Sequence, residues 1–343
     1  MKYIEGDILT QNGFQKGYVG ITKDGIIEHG NNSAPEKPIA KGIIVPTFIN
    51  AHTHIGDSFV RTKKMKLPRN VEKLVAPPNG LKYTLLETAS EEEIITGMKQ
   101  SIQEMIESGI SSFCDFREHG INGIRQLKTA LKNKKITSII LSRPHHMNYD
   151  KKEVDLLLEN SDGIGLSSVS DWEYSEIEKI AKHAKQKKKK FVLHASEALR
   201  EDIDTILDLK PDFLVHMIKA TESDLIRAKD ENIPIALCPR SNAFFHLEIN
   251  LKLMKKSGVD LMLGTDNAMI NPPNIVEELH FLKKTTRVFS TEELLNMITY
   301  TPRKALNLDD CIQGLNWSCD VVVLEKETLK PSIIYCKING GII

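Results

Sequence analysis

His52 and His54 stand two residues apart in Ile49-Asn50-Ala51-His52-Thr53-His54-Ile55. Side chains two apart on a strand point to the same face. Two imidazoles aimed the same way at a strand end offer two nitrogen donors to a metal ion. Further along, polar groups recur where short apolar runs stop. His194 ends Phe191-Val192-Leu193-His194, His216 ends Asp212-Phe213-Leu214-Val215-His216, and Asp266 ends Asp260-Leu261-Met262-Leu263-Gly264-Thr265-Asp266. Singly, each has a plainer role. A strand-end histidine can be a satisfied core or rim residue, and Asp266 can cap the next turn. Three histidines and one aspartate together supply neutral nitrogens and one anionic oxygen, a set suited to Zn²⁺ or Fe²⁺ that leaves room for a water. Glu197, three residues beyond His194, is either a carboxylate over such a site or an exposed acid opening the following helix.

These side chains meet only if the intervening elements bring the strand ends to one place. The apolar run Gly42–Phe48 reads as a buried strand leading into His52. Ser90-Glu91-Glu92-Glu93 resembles a capping box before an amphipathic helix that stops at Gly109. From there helix and strand alternate. Strands are expected over 110–116, 136–141, 163–166, 191–194, 212–216, 233–238 and 260–266, which with the one before His52 makes eight. Short apolar strands alternating with helices pair in parallel. Eight units favour a closed barrel, and no G-x-G-x-x-G or P-loop pattern points to a nucleotide-binding open sheet. The expected fold is therefore α/β, a (β/α)8 TIM barrel over 46–309, whose active site forms at the C-terminal ends of its strands. Residues 1–45 and 310–343 share Gly-broken apolar pieces and are expected to pair into one small β-domain. Arg61–Ser90, with Pro68, Pro77, Pro78 and Gly80 among charges, reads as a long loop or lid.

Bulk properties narrow the function. The chain has 343 residues, 41% hydrophobic and 27% charged, in the range of ordinary globular proteins. Lys+Arg and Asp+Glu are both 46, without the basic excess of a nucleic-acid binder. No run of 18 apolar residues suggests a membrane span. Met1-Lys2-Tyr3-Ile4-Glu5-Gly6-Asp7 lacks the apolar core of a signal peptide. Cys114, Cys238, Cys311, Cys319 and Cys336 are scattered and odd in number, which reads as reduced thiols in a cytoplasmic protein. The expected partner is a small-molecule substrate, with no nucleic acid and no membrane; a homo-oligomer is left open.

The His-x-His, the His194-x-x-Glu197 pair, the His216 strand, Cys238-Pro239-Arg240-Ser241-Asn242 and Leu263-Gly264-Thr265-Asp266 together resemble the amidohydrolase superfamily. More narrowly they are similar to its cytosine deaminase and chlorohydrolase branch of metal-dependent deaminases. Thr301-Pro302-Arg303-Lys304-Ala305-Leu306, Gly314 and Asp320-Val321-Val322-Val323-Leu324 extend the likeness over nearly the whole chain. The resemblance implies a divalent metal, Zn²⁺ first and Fe²⁺ second, held by His52, His54, His194 and Asp266. It implies that His216 and Asp266 handle the protons of the attacking water and that Glu197 passes a proton to a ring nitrogen. Binuclear members carry a bridging lysine or glutamate at the fourth strand's end. Here that end reads Gly165-Leu166-Ser167-Ser168-Val169, so one metal is expected. Cys319-Asp320 departs from the usual Ala-Asp of the branch.

The activity expected is hydrolytic deamination of an amino-substituted heterocycle, a nucleobase or nucleoside-like compound. Alternatives are a cyclic-amide hydrolase like imidazolonepropionase, a chlorohydrolase-like enzyme, and a non-catalytic scaffold. Substrate contacts are expected from rim residues. Arg240 could hold a carboxylate, phosphate or ring carbonyl, or serve a structural ion pair. Arg61, Arg117, His145 and Trp172, with Glu118, His146 and Phe244, are further candidates.

Overall fold

The computed structural model describes every residue except 23–24, 309–320, 337–340 and 343. Gly314, Cys319 and Asp320, and the start of the expected C-terminal segment, lie outside the described residues. The first four strands are β1 (Lys2–Thr10), β2 (Gly13–Thr22), β3 (Gly25–Gly30) and β4 (Ala40–Pro46). Nine strand segments follow: β5 (Phe48–His54), β6 (Ile110–Arg117), β7 (Thr137–Ser142), β8 (Gly163–Leu166), β9 (Lys190–Ala195), β10 (Leu214–His216), β11 (Ile235–Leu237), β12 (Leu261–Leu263) and β13 (Asp266–Asn267). The last three are β14 (Val321–Leu324), β15 (Pro331–Cys336) and β16 (Gly341–Ile342).

The nine middle segments form one parallel sheet in the order β12-β11-β10-β9-β8-β7-β6-β5-β13. Its two ends are joined by only Gly264 and Thr265, so the sheet curls until they meet. Gly264 N still donates to Leu237 O on the β11 side (2.8 Å), while Thr265 N donates to His52 O on the β5 side (2.9 Å). Several of the crossover helices carry capped starts. Ser90 and Glu93 form the expected capping box on the helix Glu91–Glu107. Ile49, Cys114, Ile139, Val192, Val215, Ala236 and Met262 face one another in a buried cluster inside the curl. Leu306 joins that cluster, and Lys190 Nζ, at the start of β9, donates to Ala305 O. The helix Tyr300–Leu306 thus covers the N-terminal ends of the strands, leaving the C-terminal ends for the site.

The strand expected before His52 is divided differently. The run through Pro46 is β4, which belongs to a second, seven-stranded sheet in the order β16-β15-β14-β4-β1-β2-β3. His52 and His54 sit instead on β5, which starts at Phe48. The chain changes sheets at Thr47, where Phe48 N turns to Gly109 O. Periodicity does not mark such a change when both strands are apolar. The expected loop 61–90 is also more ordered than its prolines suggest. A 3₁₀ segment covers Ile55–Lys63, and short helices cover Val71–Leu74 and Leu81–Thr88. No helix among the described residues is long and apolar enough to cross a membrane.

Candidate metal centre and active site

The C-terminal ends of β5, β9 and β10 and the start of β13 deliver His52, His54, His194, His216 and Asp266 to one buried place. His52 Nε2 lies 3.2 Å from His194 Nε2 and 3.3 Å from Asp266 Oδ1. His54 Nε2 lies 3.4 Å from His194 Nε2 and 3.6 Å from Asp266 Oδ1. His52, His194, His216 and Asp266 each also offer an atom within 4.8 Å of the others'. Two non-glycine residues here, His216 (φ 74°) and Asp266 (φ 59°), take the left-handed backbone conformation. Such outliers concentrate at functional sites. Close approach also constrains Gly264, where a Cβ would stand 2.6 Å from His52 Cβ.

Burial keeps three of these imidazoles, those of His54, His194 and His216, neutral. Burial drives the His54 pKa down to about 3, with Lys82 adding to the shift, and drives that of His216 down to about 4. Burial and the neighbouring histidines hold His194 well below its ordinary value. Burial pushes the Asp266 carboxyl up, but the hydrogen bond from His52 and the polar imidazoles around it outweigh burial, holding Asp266 well below the usual carboxylate range. Neutral nitrogens with one ionised carboxylate are the protonation states a metal ion requires.

The second layer fixes orientation. His194 Nδ1 donates to Leu166 O (2.7 Å), and His54 Nδ1 donates to Glu118 Oε1 (2.7 Å), which leaves each Nε2 free. Ser241 Oγ donates to Asp266 Oδ2 and Asn267 Nδ2 to Asp266 Oδ1. Asn242 Nδ2 reaches His216 Nδ1 (3.3 Å) and Glu197 Oε1 (3.5 Å). Glu197 Oε1 is in turn 3.5 Å from His216 Nε2. Burial, then the charges of Asp266 and Asp171, raise Glu197 well above the usual carboxyl value, which favours its protonated form.

A cavity of about 490 Å³ opens over this group, lined by His54, His194, His216, Asp266 and Glu197 below and by the 69–83 segment above. Of the expected substrate contacts Glu118 lines it, whereas Arg61, Arg117, His145, Trp172 and Arg240 do not. Arg61 pairs with Glu104 (2.8 Å) and Ser101 on an outer helix. Arg117 is buried between Asp115 and Glu118. His145 is exposed, and its backbone N donates to Glu153. Trp172 Nε1 donates to Ser167 Oγ, and the Arg240 guanidinium turns to Asn271 and Glu278. Each has a protein partner that a charge or ring on a loop can find without facing the opening. Beside Glu118 the lining includes Lys82, Tyr83 and Arg143, none of which the sequence reading singled out. Arg143 follows β7 directly, so the strand-end rule that finds His194 reaches it too. For Lys82, one charge among many in a proline-rich stretch, no local signal exists.

The chain is similar in sequence and in fold to several known proteins. An uncharacterized protein of Methanocaldococcus jannaschii is 34% identical over 328 residues, covering 90% of this chain and 82% of that one. A 5-methylthioadenosine/S-adenosylhomocysteine deaminase of Thermoanaerobacter pseudethanolicus is 26% identical, over 94% of this chain and 80% of that one. In three dimensions the chain is similar to an adenosine deaminase of Xanthomonas campestris solved with bound zinc. The TM-score is 0.74 at 14% identity, over 98% of this chain and 91% of that one. Residues 43–312 match the Amidohydrolase family, and the chain belongs to that family.

Proposed function

We propose that this protein is a metal-dependent hydrolytic deaminase of an amino-substituted heterocycle, a nucleobase or nucleoside-like compound. The observation that carries the reading is the spacing of the donors. Ligands about 2.0–2.1 Å from a tetrahedral ion stand roughly 3.3–3.4 Å from one another. The four distances that link His52, His54, His194 and Asp266 run from 3.2 to 3.6 Å. These four residues would hold a divalent ion, Zn²⁺ before Fe²⁺, and only one, since β8 ends in Gly165-Leu166 and Ser167 follows, with no bridging lysine or glutamate. Bound there, the ion supplies Lewis acidity that brings the pKa of a water from 15.7 towards about 7.

The chain's own residues do the rest. Glu197, whose protonated form burial favours, gives a proton to the ring nitrogen beside the amino-bearing carbon and makes that carbon electrophilic. His216 and Asp266 take up and return the water's protons. The water oxygen bonds to the carbon, the C–N bond breaks, and ammonia leaves. Asn242 holds His216 and Glu197 together during these transfers. The 490 Å³ cavity lies in the ~300–1,000 Å³ range of small-molecule sites and has room for a base with a sugar-sized substituent. The relatives include deaminases at up to 26% identity and an imidazolonepropionase at 22%, an order that supports deamination over cyclic-amide hydrolysis.

The same reading counts β12 and β13 as one split strand, so that the curled sheet is a (β/α)8 barrel, with the seven-stranded sheet as a small domain built from both chain ends. The protein would work in the cytoplasm, in keeping with its buried free Cys114 and Cys238. The test is Glu197→Gln, which keeps the shape and removes the acid. We expect kcat for ammonia release to fall about 10²–10⁴-fold, the usual yield of acid–base catalysis, with metal content unchanged. Full activity in that variant would remove Glu197 from the mechanism.

A further inference from the structure

Lys82 is only 2% exposed, yet it belongs to the helix Leu81–Thr88 of the segment that roofs the cavity. Its ammonium makes three contacts with the floor: Glu118 Oε1 at 2.5 Å, Asn267 Oδ1 at 2.8 Å and Asp57 Oδ2 at 3.6 Å. Two of these lead directly to donors. Glu118 Oε1 also accepts from His54 Nδ1, so one carboxylate oxygen is shared between a roof lysine and a floor histidine. Asn267 Nδ2 donates to Asp266 Oδ1. Lysine has only donors, so it can satisfy only the oxygen of the Asn267 amide, which forces the NH₂ towards Asp266. Arg117, anchored on Asp115, holds the other oxygen of Glu118 and keeps that carboxylate from turning away.

We propose that Lys82 is a positioning residue that ties the 69–88 roof to His54 through Glu118 and to Asp266 through Asn267, so that metal binding and seating of the roof reinforce each other. The proposal rests on the metal reading above. Without the ammonium, Glu118 loses a partner inside the protein and is freer to rotate off His54, and Asn267 is free to flip its amide. The ligands lose orientation and the roof loses its anchor in one step. Coupling of this kind is reciprocal: whatever the ion gains from a seated roof, the roof gains from the ion.

The test compares wild type and Lys82→Met, which keeps the length and removes the charge. Zinc affinity is measured by competition with a chelator, and amide hydrogen exchange of residues 71–88 is followed with and without zinc. We expect the zinc Kd of Lys82→Met to rise about 10–100-fold, the usual cost of losing an outer partner of a ligand. We expect zinc to slow exchange of 71–88 in the wild type and to slow it less in the variant. A variant with wild-type zinc affinity overturns the proposal. Should Lys82→Met not fold, the wild-type arm decides alone: exchange of 71–88 that is the same with and without zinc overturns it. Wild type that binds no zinc removes the metal reading itself. Wild type that binds zinc beside an unaltered variant removes only the role of Lys82.

Discussion

Glu278 is completely buried on the helix Ile275–Thr285, and its Oε2 accepts from the backbone N of Arg240. Burial pushes its pKa up to about 8, although the Arg240 guanidinium pulls the other way. In the unfolded chain the same carboxyl titrates near ~4.3. Between those values the folded state binds the extra proton, so stability is fullest below the ordinary carboxyl value and is lost as pH rises towards 8. We expect Glu278→Gln to flatten this decline: denaturation midpoints at pH 5.5 and 8 should differ less than in the wild type. An equal difference in both proteins would mean that Glu278 is ionised in the fold. Residue chemistry also explains what the sequence discloses about the site. His52, His54, His194, His216, Asp266 and Glu197 are readable because each sits at, or just past, the end of an apolar run. Arg61, Arg117 and Arg240 mislead because guanidinium groups find carboxylates and amides near at hand. Lys82 matters through Glu118 and Asn267, both remote in sequence, and no spacing rule reaches it.

The eighth strand is where element and site are hardest to separate. Expected as one run over 260–266, it is split into β12 and β13 around Gly264 and Thr265. The split lets one end pair with β11 and the other with β5, and it delivers Asp266 to the donors in a left-handed conformation. Gly264 permits this because its α-carbon presses against His52. Gly264→Ala would place a methyl carbon 2.6 Å from His52 Cβ and 2.8 Å from His52 O. Overpacking of this kind costs about 1–3 kcal/mol, so urea denaturation should show a loss of that order, together with weaker metal retention as His52 is displaced. Unchanged stability and metal content would show that the strand can shift aside. Strand positions were readable to within two or three residues because apolar runs and helices alternate. The division at Pro46-Thr47 was not, since two consecutive buried strands in different sheets give one unbroken apolar pattern.

At the scale of the molecule, two sheets share one chain. β1–β4 and β14–β16 enclose the sequence of the curled parallel sheet, and Tyr300 Oη ties the two by donating to Leu9 O (2.9 Å). The likeness of the two ends in sequence anticipated a shared sheet, although pairing across some 280 residues leaves no local mark. The curled sheet gathers strand ends into one buried donor set, the 69–83 segment covers it, and Glu197 and Asn242 stand beside the opening. A small-molecule hydrolase needs no more than this, provided that the donors hold an ion. Ammonia release from a panel of aminopurines, aminopyrimidines and adenosine derivatives, by protein stripped of metal and then reconstituted with zinc, tests that most directly. The account predicts release from at least one heterocycle, restored by one zinc per chain and absent from the stripped protein. Activity that persists after complete removal of metal, or a fully zinc-loaded protein that frees no ammonia from any of them, would contradict it.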